Sequence, residues 1–149
     1  MELQDLYQEL IIDHGTCPRN QGELPNANHQ AEGINPVCGD QIQVLLDIQD
    51  QQIQAARFQG SGCAICMASA SLMTEHLVGH SNQEALQWCT QFREALTTCS
   101  AMPLCLPKLE AFLGVRAFPS RIKCATLAWH TLETAILRPA TRIKVSCHE

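Results

Sequence analysis

The first segment of the chain repeats its apolar residues with the period of a helix. Residues three or four positions apart form one continuous face, made up of Leu3, Leu6, Tyr7, Leu10, Ile11 and His14. This spacing predicts an amphipathic helix that Gly15 ends. Prolines, glycines and asparagines then recur through residues 15–38, which predicts a long loop. Loops of that length in a compact domain are usually functional.

A different pattern follows, in which apolar and polar residues alternate. Between residues 41 and 48 every second side chain is aliphatic, namely Ile42, Val44, Leu46 and Ile48. This alternation predicts a strand with one buried face. Asp50 and Gln51 are suited to a turn, and residues 52–58 are predicted to form the second strand of a hairpin.

The remainder of the chain is predicted to be helical. The expected helices are a small-residue segment over 64–78, one that begins with the capping-box pair Ser81 and Glu84, a short one over 104–113 that Gly114 ends, and a last one that Pro139 stops. Residues 139–149 are expected to be a loosely held tail. The order of a helix, a hairpin and further helices indicates one α+β domain over residues 1–149.

Composition narrows the classes of function. Hydrophobic residues make up 46% of the 149 residues, so the chain can bury an ordinary core without disulfides. The nine cysteines are an odd number, and the first residues do not resemble a secretory signal. We therefore expect a cytoplasmic protein with free thiols, a setting in which cysteine-rich chains more often bind metals or carry sulfur than form disulfides.

Charge and hydropathy argue against two kinds of partner. The net charge is −5, and the ten Lys and Arg residues are scattered without a basic stripe. A nucleic-acid partner is therefore not expected. No apolar run approaches the roughly 18 residues of a membrane-spanning helix, so association with a membrane is not expected either.

Cys38 and Cys63 occupy positions where a reactive or metal-binding site can form. Cys38 lies two residues before Asp40, and Gly39 between them relaxes the backbone so that a thiolate and a carboxylate can point the same way. Cys63 follows a glycine-rich turn at a predicted helix start. The helix dipole and free N–H groups there are expected to lower its thiol pKa.

Cys124 is the third candidate, near the start of the last predicted helix. It is flanked by Arg121 and Lys123, and positive charges favour a nearby thiolate. We therefore expect Cys124 to ionise readily. The long separations between the three cysteines are not those of a zinc finger, so spacing alone does not distinguish a metal site from buried thiols that pack as small hydrophobic groups.

Two further cysteines call for separate interpretations. Cys89 lies on the apolar face of its helix, which favours a packing role. Cys66 forms a Cys-x-x-Cys pair with Cys63, an arrangement found in thiol–disulfide enzymes. The predicted antiparallel hairpin before this pair does not fit the βαβ context of those enzymes. Cys66 is alternatively a reserve ligand, because positions i and i+3 share a helix face.

Four sequence motifs, in a fixed order along the chain, resemble those of a known family. They read LYQELIIDHGTCPRNQG, NPVCGDQIQVLL, FQGSGCAICMASASLMTEHLVG and FPSRIKCATLAWHTLETAI. Together they resemble the SufU branch of the IscU-like family of iron–sulfur cluster assembly proteins. The resemblance implies a small antiparallel sheet with helices packed on one face. It also implies a metal held by four ligands, Cys38, Asp40, Cys63 and Cys124.

The resemblance further implies zinc-dependent acceptance of persulfide sulfur from a SufS-like cysteine desulfurase, with cluster-assembly proteins or apo-protein clients downstream. The alternative is a non-enzymatic scaffold that assembles a [2Fe–2S] cluster, or binds iron, on the same ligands. Lys123 stands where the scaffold branch has His, and LGVRAFPSRIK resembles a SufU-type insertion, so the sequence favours sulfur transfer. Cys66 stands where the family motif usually has Ser.

Sulfur transfer of this kind suggests roles for individual residues. We expect Cys38 to accept the sulfur after a group from the desulfurase replaces it on the metal, and Arg121 to steady the anionic sulfur. Cys124 is the second candidate for the acceptor. A purely structural zinc domain is a third class of function, in which chelation would unfold the chain without any effect on desulfurase turnover.

Overall fold

The fold combines a four-stranded sheet with a layer of helices. The computed structural model describes residues 3–98, 107–138 and 141–144. In chain order the elements are the helix α1 (Leu3–Thr16), the strands β1 (His29–Asn35), β2 (Asp40–Gln49) and β3 (Gln52–Ser61), the helices α2 (Ala64–Leu77) and α3 (Asn82–Thr97), a 3₁₀ helix (Pro107–Ala117), the helix α4 (Pro119–Leu137) and the strand β4 (Thr141–Lys144). The predicted α+β class is confirmed.

The sheet is built from an antiparallel meander with one added strand. Its order is β3-β2-β1-β4, in which β1, β2 and β3 pair antiparallel and β4 pairs parallel to β1. The alternation predicted for β2 is confirmed, because Ile42, Val44, Leu46 and Ile48 are all buried. Asp50 and Gln51 have φ angles of 52° and 65°, as in the two-residue turns that match the twist of a hairpin.

The prediction of a loop over residues 15–38 is wrong in its second half. Residues His29–Asn35 form β1, and its inward positions are Ala31, Gly33 and Asn35. These side chains are small or polar, so their alternation carries almost no hydrophobic signal. The prediction of a loose tail is also wrong for Thr141–Lys144, which form β4. The other tail residues, 139–140 and 145–149, lie outside the described residues.

The helices follow the predictions with shifted ends. Residue Ser81 accepts a hydrogen bond from the Glu84 backbone N–H, and the Glu84 side chain accepts one from the Ser81 N–H, which confirms the capping box. Helix α1 continues one residue past Gly15. The short helix predicted over 104–113 is a 3₁₀ helix that passes through Gly114, while residues 104–106 lie outside the described residues. None of the helices in the described ranges has the length and apolarity that a bilayer crossing requires.

Helices α2 and α4 are fixed to each other by buried polar contacts. Trp129 Nε1 donates to Ser69 Oγ at 3.1 Å, and Ser69 Oγ donates to the Ala125 carbonyl at 2.5 Å. The Cys89 thiol, fully buried on α3, donates to the Trp129 carbonyl at 3.4 Å. Cys89 is therefore a packing residue, as predicted. Because Cys63 precedes α2 and Cys124 lies on α4, these contacts also set the distance between two candidate ligands.

Strand β1 and helix α4 approach each other closely at Gly33. A Cβ atom at this position would overlap Thr131 Oγ1 and would lie 3.1 Å from Leu127 Cδ1. The Thr131 hydroxyl cannot easily turn away, because it donates to the Leu127 carbonyl at 2.8 Å. Glycine at this position therefore allows α4 to lie directly against the sheet.

The substitution Gly33→Ala is expected to lower the free energy of unfolding by about 1–3 kcal/mol, the usual cost of overpacking. Gly114→Ala is the matched control, since no atom lies within 4 Å of its added Cβ. Denaturant unfolding at equal metal content measures both. Adding Thr131→Ala to Gly33→Ala should restore part of the loss, and equal stability of the two single variants would contradict this packing.

Candidate metal centre

Cys38 is presented by the turn between β1 and β2. Asn35 and Asp40 are paired where the two strands end, and the turn between them is four residues long. The Gly39 N–H donates to the Asn35 carbonyl at 2.8 Å, and the Val37 N–H donates to Asn35 Oδ1 at 3.1 Å. Gly39 has a φ of 79°, which favours glycine. The exposed Cys38 thus lies on an organised turn that leads directly out of β1.

Asp40 links the start of β2 to the start of α2. It continues the inward-facing series of β2, and only 3% of its surface is exposed. Its Oδ1 accepts a hydrogen bond from the Cys63 N–H at 3.1 Å, and its Oδ2 lies 3.9 Å from Cys63 Sγ. A buried carboxylate is costly unless it is paired or bound to a metal. This environment therefore favours a cation beside Asp40.

Gly62 leaves the space that the Asp40 carboxylate fills. A Cβ atom on Gly62 would lie 2.8 Å from Asp40 Oδ1 and 3.1 Å from Cys66 Sγ. The first of these distances is shorter than ordinary contacts allow. The glycine is therefore needed for the Asp40 carboxylate to occupy its position at the start of α2.

The half-buried Cys63 is the N-cap residue of α2, and within this cluster it is the first thiol to ionise. Its pKa is lowered to about 6, above all by a hydrogen bond from the Cys124 thiol. The backbone N–H groups of Cys66 and Ile65 lower it further, while partial burial and Asp40 oppose the shift. The predicted lowering of the Cys63 pKa is confirmed, although the neighbouring thiol contributes more than the helix start.

Cys124 lies in the second turn of α4 and is 2% exposed. Its Sγ is 4.0 Å from Cys38 Sγ and 3.6 Å from the Ser120 carbonyl. Its pKa is raised, first because it donates its proton to Cys63 and then because of burial and the nearby Asp40. The expectation that Cys124 ionises readily is therefore wrong. Of these two neighbouring thiols, Cys63 ionises more readily and Cys124 keeps its proton.

Three of the four predicted ligands form one cluster, and the fourth lies next to it. Ligand atoms of Cys38, Asp40 and Cys124 lie within 4.8 Å of one another, in an arrangement that could hold a metal ion. Cys63 adjoins this group through its contacts with Asp40 and Cys124. Three thiols and one carboxylate suit a tetrahedral ion such as Zn²⁺, whose bonds to sulfur and oxygen are about 2.3 Å and about 2.0–2.2 Å. The chemistry of the donor set fits such an ion.

Arg121 provides positive charge at the rim of this cluster. It is exposed in the first turn of α4, and its guanidinium contacts Cys124 and lies near Cys63, which together raise its pKa. Arg121 therefore lies beside two of the three sulfur atoms.

Cys66 lies one helical turn from Cys63 and is fully buried. Its pKa is raised by burial and by the nearby negative groups of Asp40, Cys63 and Cys38. It is a free thiol, and the strand before it belongs to the antiparallel meander. The arrangement thus lacks the βαβ context of thiol–disulfide enzymes.

A cavity that the sequence did not reveal opens beside the cluster. It measures about 910 Å³ and lies between α1, the 3₁₀ helix and the start of α4. Its wall includes Ile11, Ile65 and Phe118 as well as Arg121, which is also part of the cluster. Tyr7 donates to Glu110 Oε2 at 2.8 Å across this space. No local pattern predicts it, because the wall residues come from four separate segments.

Residues 6–145 match the family described as the NifU-like N-terminal domain. The chain belongs to this family. The zinc-dependent sulfurtransferase SufU of Bacillus subtilis is 38% identical over 137 residues, which cover 91% of this chain and 92% of that protein. The iron–sulfur cluster assembly scaffold protein IscU of Streptococcus pyogenes is 36% identical over 140 residues, covering 93% and 87%.

A crystal structure supports the same placement within the NifU-like N-terminal domain family. The SUF-system protein FiSufU from Fervidobacterium islandicum, described as an iron–sulfur cluster assembly scaffold, superposes with a TM-score of 0.81 and 31% identity over 91% of this chain and 99% of that one. The expected fold, a small antiparallel sheet with helices packed against it, is confirmed. The chain is thus an iron–sulfur cluster assembly protein of the IscU and SufU type.

The substitution Gly62→Ala is expected to weaken zinc binding by about tenfold to a hundredfold, the range typical of residues that support metal ligands. The added methyl group would push the Asp40 carboxylate out of its position. Competition with a chromophoric chelator measures the affinity, and Gly114→Ala is the control. Unchanged affinity in Gly62→Ala would mean that the Asp40 carboxylate takes no part in binding.

Proposed function

We propose that this chain is a zinc-dependent carrier that accepts persulfide sulfur from a cysteine desulfurase. Cys38, Asp40, Cys63 and Cys124 would hold the zinc ion, which would keep the bound sulfurs deprotonated. One observation carries the proposal. The ligand atoms of the exposed Cys38, the buried Asp40 and the buried Cys124 all lie within 4.8 Å of one another. The name of the Bacillus subtilis relative, a zinc-dependent sulfurtransferase, supports the same assignment.

The exposure of Cys38 supports it as the acceptor. Sulfur exchange requires the attacking thiolate to reach the donor, so access is as important as ionisation. Cys38 is exposed on its turn, whereas Cys124 is 2% exposed behind it. Cys124 is therefore better placed to hold the metal than to meet a partner protein.

The transfer step exchanges one sulfur–sulfur bond for another. The Cys38 thiolate attacks the terminal sulfur of the persulfide on the desulfurase, and a new sulfur–sulfur bond forms on Cys38. The bond within the donor persulfide breaks, and the donor cysteine leaves as a thiolate. Cys38 must be free of the metal at this moment, and its place on a surface turn allows that release without disturbing the buried ligands.

Arg121 is proposed to stabilise the negative sulfur atoms around the transfer. Its guanidinium contacts Cys124 and is close to Cys63, so it lies next to the position that the new persulfide would occupy. A charged donor strengthens hydrogen bonds to anions. Because Arg121 also lines the 910 Å³ cavity, a partner that enters there would lie beside the sulfur cluster.

A scaffold that assembles a [2Fe–2S] cluster is the second candidate. The observation in its favour is the donor set, since thiolates are also the ligands of iron–sulfur clusters. Two relatives are named as assembly scaffolds. Reconstitution with iron and sulfide, followed by transfer of an intact cluster to an apo-protein, would favour this function over sulfur transfer.

The substitution Cys38→Ser should abolish the stimulation of alanine release by a cysteine desulfurase, because the acceptor sulfur is removed. Peptide mass spectrometry should find the added sulfur on Cys38 in the unmodified chain. Cys17→Ser is the matched control, since Cys17 is also an exposed free thiol. Full stimulation by Cys38→Ser would exclude Cys38 as the acceptor.

The substitution Arg121→Gln is expected to slow sulfur transfer by about threefold to tenfold, in line with the loss of one hydrogen bond to a charged group at an exposed position. Zinc content should stay the same, because no ligand is removed. Arg138→Gln at the other end of α4 serves as the control. A loss of zinc in Arg121→Gln would instead assign the arginine a role in holding the metal site together.

A further inference from the structure

We propose that Cys124 resolves the persulfide carried by Cys38: the Cys124 sulfur attacks Cys38 Sγ, sulfide leaves, and a disulfide between the two cysteines remains. The inference rests on the proposed function, because it requires sulfur on Cys38. It extends that function from the acceptance of sulfur to its release. It also gives Cys124 a chemical role in addition to its proposed place in the metal site.

The distance between the two sulfur atoms is the first observation in support. Cys124 Sγ lies 4.0 Å from Cys38 Sγ, although the two residues are 86 positions apart in the chain. A disulfide bond is about 2.05 Å long, so the two atoms have to approach each other by only about 2 Å. In a persulfide on Cys38, the inner sulfur is Cys38 Sγ itself. Cys124 therefore lies beside the atom that it would attack.

The different supports of the two cysteines are the second observation. Cys38 is exposed on the four-residue turn between Asn35 and Asp40. Cys124 is 2% exposed in the second turn of α4. A surface turn moves more easily than a buried residue of a packed helix. The turn can thus supply the short approach while Cys124 stays in place, enclosed from thiols of other molecules.

Positive charge and open space lie next to the attacking sulfur. The Arg121 guanidinium contacts Cys124. Hydrogen bonds from a guanidinium to an anion are strong, so Arg121 favours the departure of a negatively charged sulfur. Arg121 also lines the cavity of about 910 Å³ beside the cluster, which offers space to the leaving group.

The step balances with the atoms that the sulfur-loaded chain contains. The Cys124 thiolate forms a bond to Cys38 Sγ, and the bond from Cys38 Sγ to the outer sulfur breaks. Its electron pair goes to the outer sulfur, which keeps its proton and leaves as hydrosulfide. The Cys124 sulfur is oxidised, the outer sulfur is reduced, and the oxidation state of Cys38 Sγ does not change. A dithiol reductant must then reduce the disulfide before the chain can accept sulfur again.

The disulfide has a second consequence, for the metal site. Cys38 and Cys124 are two of the four proposed zinc ligands. Asp40 and Cys63 alone are too few for a closed tetrahedral site. Release of sulfide should therefore be accompanied by loss of zinc, which gives a readout that does not depend on measuring sulfur.

The unmodified chain tests the step directly. Zinc-loaded chain is incubated anaerobically with a cysteine desulfurase and cysteine, separated from both, and then kept without reductant. Free sulfide, zinc lost on gel filtration and the disulfide between Cys38 and Cys124, found by non-reducing peptide mass spectrometry, should appear in about equal amounts. Chain incubated without cysteine should keep its zinc and form no disulfide. A dithiol reductant should restore zinc binding to the discharged chain.

Two substitutions separate Cys124 from the other thiols. Cys124→Asp keeps an anionic side chain at a proposed ligand position but cannot form the disulfide. Sulfur should therefore stay on Cys38, and sulfide release should slow by at least about tenfold. Cys89→Ser is the matched control, because it removes another buried thiol, which donates to the Trp129 carbonyl, and it should release sulfide at the unmodified rate. Circular dichroism checks that both variants are folded.

Three outcomes would overturn the inference alone. They are sulfur that stays on Cys38 in the unmodified chain, sulfur that moves to Cys124 as a persulfide with no disulfide formed, and equal rates of sulfide release from the unmodified chain and Cys124→Asp. No sulfur on Cys38 at any time would instead defeat the proposed function and this inference with it. Mass spectrometry of the freshly loaded chain tells the two kinds of failure apart.

Discussion

The hydrogen bond from the Cys63 N–H to the Asp40 carboxylate is the contact on which the site depends. It joins the first residue of β2 to the N-cap of α2, two positions that are 23 residues apart in the chain. The contact orients the carboxylate, brings Cys63 Sγ close to it and requires a glycine at position 62. Once this junction is formed, the packing of α4 against α2 brings Cys124 to the same place.

The cysteines in and around the cluster differ in how deeply they are buried. Cys38 is exposed, Cys63 is half-buried, and Cys124 and Cys66 are enclosed. Exposure suits a thiol that must meet another protein, while enclosure suits one that must hold an ion. Under the proposed function, cysteines that are neighbours in space would therefore have different roles according to their burial.

Much of this arrangement could be predicted from the sequence, for reasons that differ from residue to residue. Strong alternation revealed the buried face of β2, and the pair Ser81 and Glu84 revealed the start of α3. The four site residues were identified through family motifs and not through their spacing. Strand β1 was missed because its inward residues are small or polar and so produce no hydrophobic period.

The electrostatics of the site could not be predicted in the same way. Arg121 and Lys123 suggested that Cys124 would be ionised, since both are close in sequence. In the structure the hydrogen bond to Cys63, together with burial and Asp40, outweighs those charges, and Cys124 keeps its proton. A pKa depends on neighbours in space, and the decisive neighbours here come from other elements.

Strand β4 has a consequence for how the protein behaves in a crowded solution. Residues Thr141–Lys144 cover the edge of β1, which would otherwise present a row of unpaired N–H and carbonyl groups to other chains. Within the residues that the structure describes, the outermost strand on that side runs over four residues, a short template for pairing with a foreign strand. Strand β4 thus disfavours pairing of β1 with a second chain next to the turn that carries Cys38.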